Sequence, residues 1–120
     1  MKLLVCGGRD YADRDHAYRI LDEAHKHRAV TVLIEGGAPG ADSLARAWCH
    51  SRGVICATVN AVWAKRGRAA GPERNAAMLS LGPDGVIAFP GGRGTANMVQ
   101  QARDAGIKVW EIQGGDDGRG

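Results

Sequence analysis

The sequence predicts an α/β fold, a three-layer Rossmann-like sandwich built on a five-stranded parallel sheet in the order 3-2-1-4-5. Three observations predict it. Short apolar runs of strand length alternate with longer segments of helical periodicity along the whole chain. The runs are continuously hydrophobic, as in strands covered on both faces. Glycine turns follow strands again and again, and right-handed crossovers would collect those turns along the carboxyl edge of the sheet, where such folds bind ligands.

Residues 2–6 form the first run and end at Gly7-Gly8. From about Asp13, Ala17, Ile20, Leu21 and Ala24 recur at helical spacing, with Asp13 or Asp15 as N-cap, predicting an amphipathic helix to about Arg28. Residues 31–34 are the second strand, and a glycine turn at 36–43 leads into a helix with Leu44, Ala45 and Trp48 on its inner face. Pro39 suits that helix's entrance and Gly53 its exit. Residues 54–59, rich in β-branched side chains, are the third strand. An irregular, basic connection at 61–71 then spans the two halves and leads to helical residues 76–79. Strand 86–89, the turn at 90–95, a helix to Gly106 and a strand at 107–112 complete one domain over residues 1–113. Residues 114–120 read as a frayed, glycine-rich tail.

A chain of 120 residues with 44% hydrophobic and 24% charged residues has the composition of a soluble globular domain. It lacks the apolar stretch of a membrane span or signal peptide, so a cytoplasmic location and no membrane partner are expected. A homo-oligomer is expected. Cys6, Cys49 and Cys56 are odd in number and without Cys-x-x-Cys spacing, which fits reduced, packed thiols. The histidines lack partners at ligand spacing, so no metal and no cofactor is expected. A net charge of +3 is too small by itself to argue for nucleic acid.

The chemistry is concentrated at the turns. In Pro90-Gly91-Gly92-Arg93-Gly94-Thr95, three glycines leave the backbone open beside a helix N-terminus, where free N–H groups can hold an anion. The stretch Glu35-Gly36-Gly37-Ala38-Pro39-Gly40-Ala41-Asp42 repeats the design, and two such turns suggest a ligand with phosphates. Gly7-Gly8-Arg9-Asp10 is not a dinucleotide fingerprint, since Gly-x-Gly-x-x-Gly is absent. Arg9, Arg68, Arg74 and Arg93 are the cations placed to neutralise a ligand, with Asn75 beside them. Arg74 is read in the first turn of its helix, where the macrodipole disfavours a cation; that points either to function or to an ion pair with Glu73 or Asp10. Asp10, Glu35, Asp42 and Glu73 are the acid–base candidates, each with a bland alternative: a helix cap, a dipole partner or an arginine's counter-ion. Trp63 admits two readings, a base-stacking platform or a core plug.

Four segments together, 6–11, 35–42, 71–75 with Met78, and 90–95, resemble the SLOG superfamily of Rossmannoid proteins, which includes Smf/DprA-like and LOG-like members. The likeness is to its YspA-like, YpsA-related branch. The resemblance implies binding, or sensing, of a nucleotide or nucleotide-derived ligand. LOG enzymes release a base from a nucleoside monophosphate and carry Pro-Gly-Gly-x-Gly-Thr-x-x-Glu with an upstream helical arginine. Residues 90–95 match the loop and Arg74 the arginine, but the motif's glutamate falls on Met98. The alternative function, N-glycosidic hydrolysis, therefore rests on Arg74 with Glu35 or Asp42 as catalytic residues. A third reading is single-stranded DNA binding of the DprA kind through Lys65, Arg66 and Arg68.

Overall fold

The computed structural model describes residues 1–113 and, of Trp63 and Ala64, the backbone alone. The expected tail at 114–120 and both readings of the Trp63 side chain lie outside the described residues. Five strands, β1 (Lys2–Cys6), β2 (Val32–Glu35), β3 (Ile55–Thr58), β4 (Gly85–Ala88) and β5 (Lys108–Glu111), form one sheet in the order β3-β2-β1-β4-β5. Every pairing is parallel, with Leu4 set between Ile34 and Val86. This is the expected Rossmann-like arrangement.

Successive side chains of the central strands point to opposite faces, so each strand feeds two cores. Leu3, Val5, Leu33, Ile87 and Phe89 pack against Ala17 and Leu21 of α1 (Arg14–His27) and against Ala45 and Trp48 of α2 (Ala41–Arg52). Leu4, Cys6, Ile34, Val86 and Ala88 pack on the other face against Met78 of α4 (Ala70–Ser80) and against Met98, Val99 and Ala102 of α5 (Arg93–Asp104). Double burial is why these runs read as uninterrupted hydrophobic segments. Asp13 caps α1, accepting from the His16 N–H at 3.1 Å. Trp48 lies fully buried under that helix and donates its indole N–H to Asp22 at 2.8 Å, which satisfies the one polar atom the tryptophan brings inside.

The connection after β3 differs from its expected irregularity. It folds as α3 (Trp63–Arg66), a 3-10 turn (Gly67–Ala69) and then α4, which begins six residues before the expected helical stretch. Gly71 and Pro72, residue types that disfavour a helix interior, sit in the first turn of α4. Proline is tolerated there because that turn's N–H groups have no intrahelical acceptor to lose, and both Ala70 and Gly71 are buried.

The loops after β1, β2 and β4 are laced together at the carboxyl edge of the sheet. Gly8 N–H donates to Pro90 O at 2.8 Å, and Ala41 N–H donates to Gly8 O at 3.1 Å. Glycine at position 7 is required by this approach, since a Cβ would stand 2.5 Å from the Ala41 Cβ and 2.9 Å from the Phe89 Cβ.

Candidate functional site

A cleft of about 690 Å³ opens over that laced edge. Its walls come from four segments: Cys6–Tyr11 after β1, Ala38 and Asp42 at the entrance of α2, one face of α4, and the loop from Pro90 to Thr95. The topology explains the meeting. β1 is central and β2 and β4 flank it, so the loops that follow all three open on one crevice.

The loop before α5 has the geometry of an anion site. Gly92 caps the helix without a side-chain bond, and the first intrahelical bond runs from Ala96 N–H to Gly92 O. Among the described residues nothing accepts from the N–H groups of Arg93, Gly94 and Thr95, which sit at the positive end of the helix dipole. Arg93 and Arg9 are exposed and line the same cleft. Added Cβ atoms at Gly92 and Gly94 would meet nothing within 4 Å, so a ligand can approach the backbone there.

The loop before α2 is built differently. Gly36 and Ala38 both donate their N–H groups to Asp42 Oδ2 at 3.2 Å, Gly37 donates to Glu35 Oε1 at 2.6 Å, and Ala41 N–H is taken by Gly8 O. Pro39 has no N–H to offer. At the expected phosphate cradle of Gly36, Gly37, Gly40 and Ala41, the first two donate to the chain's own carboxylates and Ala41 to the Gly8 carbonyl, and these four residues do not line the cleft. Gly40 instead supplies a turn at φ +80° pressed against Gly8 and Arg9.

Glu35 and Asp42 part company in the structure. Glu35 is fully enclosed, accepting from Gly37 N–H and the Thr58 hydroxyl with the Cys56 thiol at 3.6 Å, and it does not line the cleft. It braces the loop between β2 and β3. Asp42 is buried yet faces the cleft, and burial pushes its carboxyl up to about 6, with the charge of Glu35 adding to the rise and the N–H bonds and Arg74 opposing it.

Arg74 lies in the second turn of α4, beyond the first-turn position expected for it. Its Nη1 donates to Gly36 O at 2.6 Å and its Nε to Asn75 Oδ1 at 3.0 Å. Neither expected ion pair forms, because Glu73 is bound by Arg66 at 2.5 Å. Both the guanidinium and the Asp42 carboxylate press on Gly36, where a Cβ would overlap Arg74 and stand 3.0 Å from Asp42 Oδ2. Asn75 is also buried, and its amide donates to Gly94 O at 3.2 Å and Asn97 Oδ1 at 3.0 Å. It joins Arg74 to the turn that opens α5.

Arg68 is exposed and does not line the cleft, and neither do Lys65 and Arg66. Met98 is fully buried with Leu4, Ile34, Cys6 and Met78, so it offers nothing to a ligand. Cys6 lines the cleft floor, and burial pushes its thiol up to about 12, which leaves it protonated and inert at neutral pH. Cys6, Tyr11, Ala38, Gly71 and Met78 also line the cleft; the sequence puts them in the segments that carry the family resemblance without naming their side chains as ligand contacts. Met78 was findable, four residues after Arg74 on the same helix face. Tyr11 was not, since its place depends on stacking against Phe89 at 5.1 Å. No described group of three His, Cys, Asp or Glu side chains could hold a metal ion, and no described helix is long and apolar enough to cross a membrane.

Two comparisons agree with this construction. Residues 1–65 match YAcAr, described as the YspA, cpYpsA-related SLOG family. The chain is also 35% identical over 116 residues to the Gene 61 protein of Mycobacterium phage D29, an alignment covering 90% of this chain and 93% of that protein.

Proposed function

The chain belongs to the YspA, cpYpsA-related SLOG family, and on that premise we propose that its cleft binds a nucleotide or nucleotide-derived phosphate ligand, as a binding or sensing domain. The observation that carries this reading is the start of α5. Free N–H groups, a glycine loop with no side chain in the way, and the exposed Arg93 and Arg9 converge on one end of a cleft large enough for a nucleotide. Thermal unfolding across a panel of mono- and dinucleotides, ADP-ribose and cyclic nucleotides tests it. At a ligand concentration of about 100 Kd, binding contributes about 2.7 kcal/mol and raises Tm by several degrees. No rise with any of them at concentrations well above millimolar would refute the reading.

A second reading, N-glycosidic hydrolysis of a nucleoside monophosphate, is favoured by one observation. Asp42 is a cleft-facing carboxyl near 6, poised to hold or release a proton close to neutral pH. Against it stands Met98, buried where a LOG enzyme has its glutamate. Chromatography for free base after long incubation separates the readings. Turnover predicts release that Asp42→Asn and Arg74→Ala abolish, and binding alone predicts none.

A further inference from the structure

Opposite the start of α5, the cleft wall carries one acceptor and one donor that the fold leaves unused. Asp42 is only 6% exposed, and both backbone N–H bonds to it end on Oδ2. Among the described residues Oδ1 has no partner, yet it is not one of the fully enclosed orphan atoms, which are Tyr11 Oη and His16 Nε2. It therefore opens to the cleft that Asp42 lines. Arg74 spends Nη1 on Gly36 O and Nε on Asn75, and its Nη2 has no described partner. Gly36 holds the two groups side by side.

Resting on the nucleotide reading above, we infer that Asp42 and Arg74 bind the sugar hydroxyls of the ligand, so that the site selects ribosyl over 2′-deoxyribosyl phosphates. A hydroxyl donates and accepts at once, which matches an acceptor beside a donor; an amine offers no acceptor to Arg74. The phosphate lies at the α5 end and the ribose at the Asp42 end. Asn75 ties the two ends together through Arg74 and Gly94.

The charged and titratable groups around Asp42 are Glu35 at the end of β2, Arg74 on α4 and Cys6 at the end of β1. Burial is the largest influence, and it places the carboxyl near 6. The ionised carboxylate is the stronger acceptor for a hydroxyl, so ribose selection is greatest above that pH and weakens below it.

Titration calorimetry with adenosine, guanosine, cytidine and uridine 5′-monophosphates, each against its 2′-deoxy counterpart, tests this at pH 7.5 and pH 5. At pH 7.5 the ribonucleotide that binds should do so about tenfold more tightly than its deoxy form, the worth of one hydrogen bond to a charged group. At pH 5 the ratio should shrink. The ionisation of the phosphate is common to both ligands and cancels in that ratio. Asp42→Asn should bring the ratio toward one and remove its dependence on pH. Equal affinity of wild-type protein for a ribo and deoxy pair overturns the sugar assignment and leaves nucleotide binding standing. Binding of none of the eight overturns the sugar assignment, while the nucleotide reading stands or falls on the wider thermal-unfolding panel.

Discussion

The two glycine turns after β2 and β4 are alike in composition and opposite in use. The first largely closes on itself: the N–H groups of Gly36, Gly37, Ala38 and Ala41 are taken by Asp42, Glu35 and Gly8, and a Cβ at Gly36 or Gly37 would collide with Arg74 or Asn60. The second stays open, with free N–H groups and empty space beside Gly92 and Gly94. Carboxylates make the difference. Glu35 at the end of β2 and Asp42 in the first turn of α2 occupy the donors that an external anion would need, whereas Phe89 at the end of β4 and Gly94 in the first turn of α5 bring no acceptor. A glycine turn at a helix N-terminus is an anion site only when its own neighbours leave it vacant.

The largest test of this contrast is Glu35→Ala. It removes the acceptor of a half-buried Gly37 N–H and of the Thr58 hydroxyl and leaves a cavity where the fully buried Glu35 side chain stood, so denaturant unfolding should show a loss of about 3 kcal/mol. A loss under about 0.5 kcal/mol would mean that the first turn does not depend on its internal carboxylate.

Next comes the pH dependence of Asp42. Its carboxyl is raised to about 6 from a usual value of 3.8, so between those values the folded chain keeps a proton that the unfolded chain has released. Its contribution therefore lowers stability as pH rises through that window and is at its most unfavourable above pH 6. Two units correspond to about 3 kcal/mol. Asp42→Asn should flatten this part of the stability profile and raise stability at pH 7, as followed by urea unfolding from pH 4 to 7.5.

The smallest effect is expected in the open turn. Gly94 lies in the first turn of α5 with a free path for a Cβ, so Gly94→Ala should stabilise the domain by about 0.5–1 kcal/mol. The added methyl stands where a ligand would meet the backbone, so nucleotide affinity should fall in the same variant. Calorimetry and thermal unfolding of one protein sample read both effects. Gain in stability without loss of affinity would place the ligand elsewhere.

The fold was legible because central strands with two buried faces have no polar period to disguise them. The run Leu3, Leu4, Val5, Cys6 feeds two cores at once, and its neighbours behave alike. The start of α4 was not legible, since Gly67, Gly71 and Pro72 are breakers by local preference and only the tertiary burial of Ala70 and Gly71 overrides them. At the site, Arg9, Asp10, Arg74 and the 90–95 loop could be read as neighbours from the strand order. The separation of Glu35 from Asp42 could not, for both stand beside the same glycines in sequence and only one faces the cleft.

What the sequence determined by itself was the sheet order and the crevice to which its turns are delivered, because apolar runs and glycine turns act locally and the handedness of crossovers does the rest. What only the tertiary structure decided was which turn keeps its N–H groups free. Hydrogen bonds are made with whatever acceptor arrives in space. For the first turn acceptors came from its own flanks and from Gly8 O, and for the N–H groups of Arg93, Gly94 and Thr95 none came among the described residues.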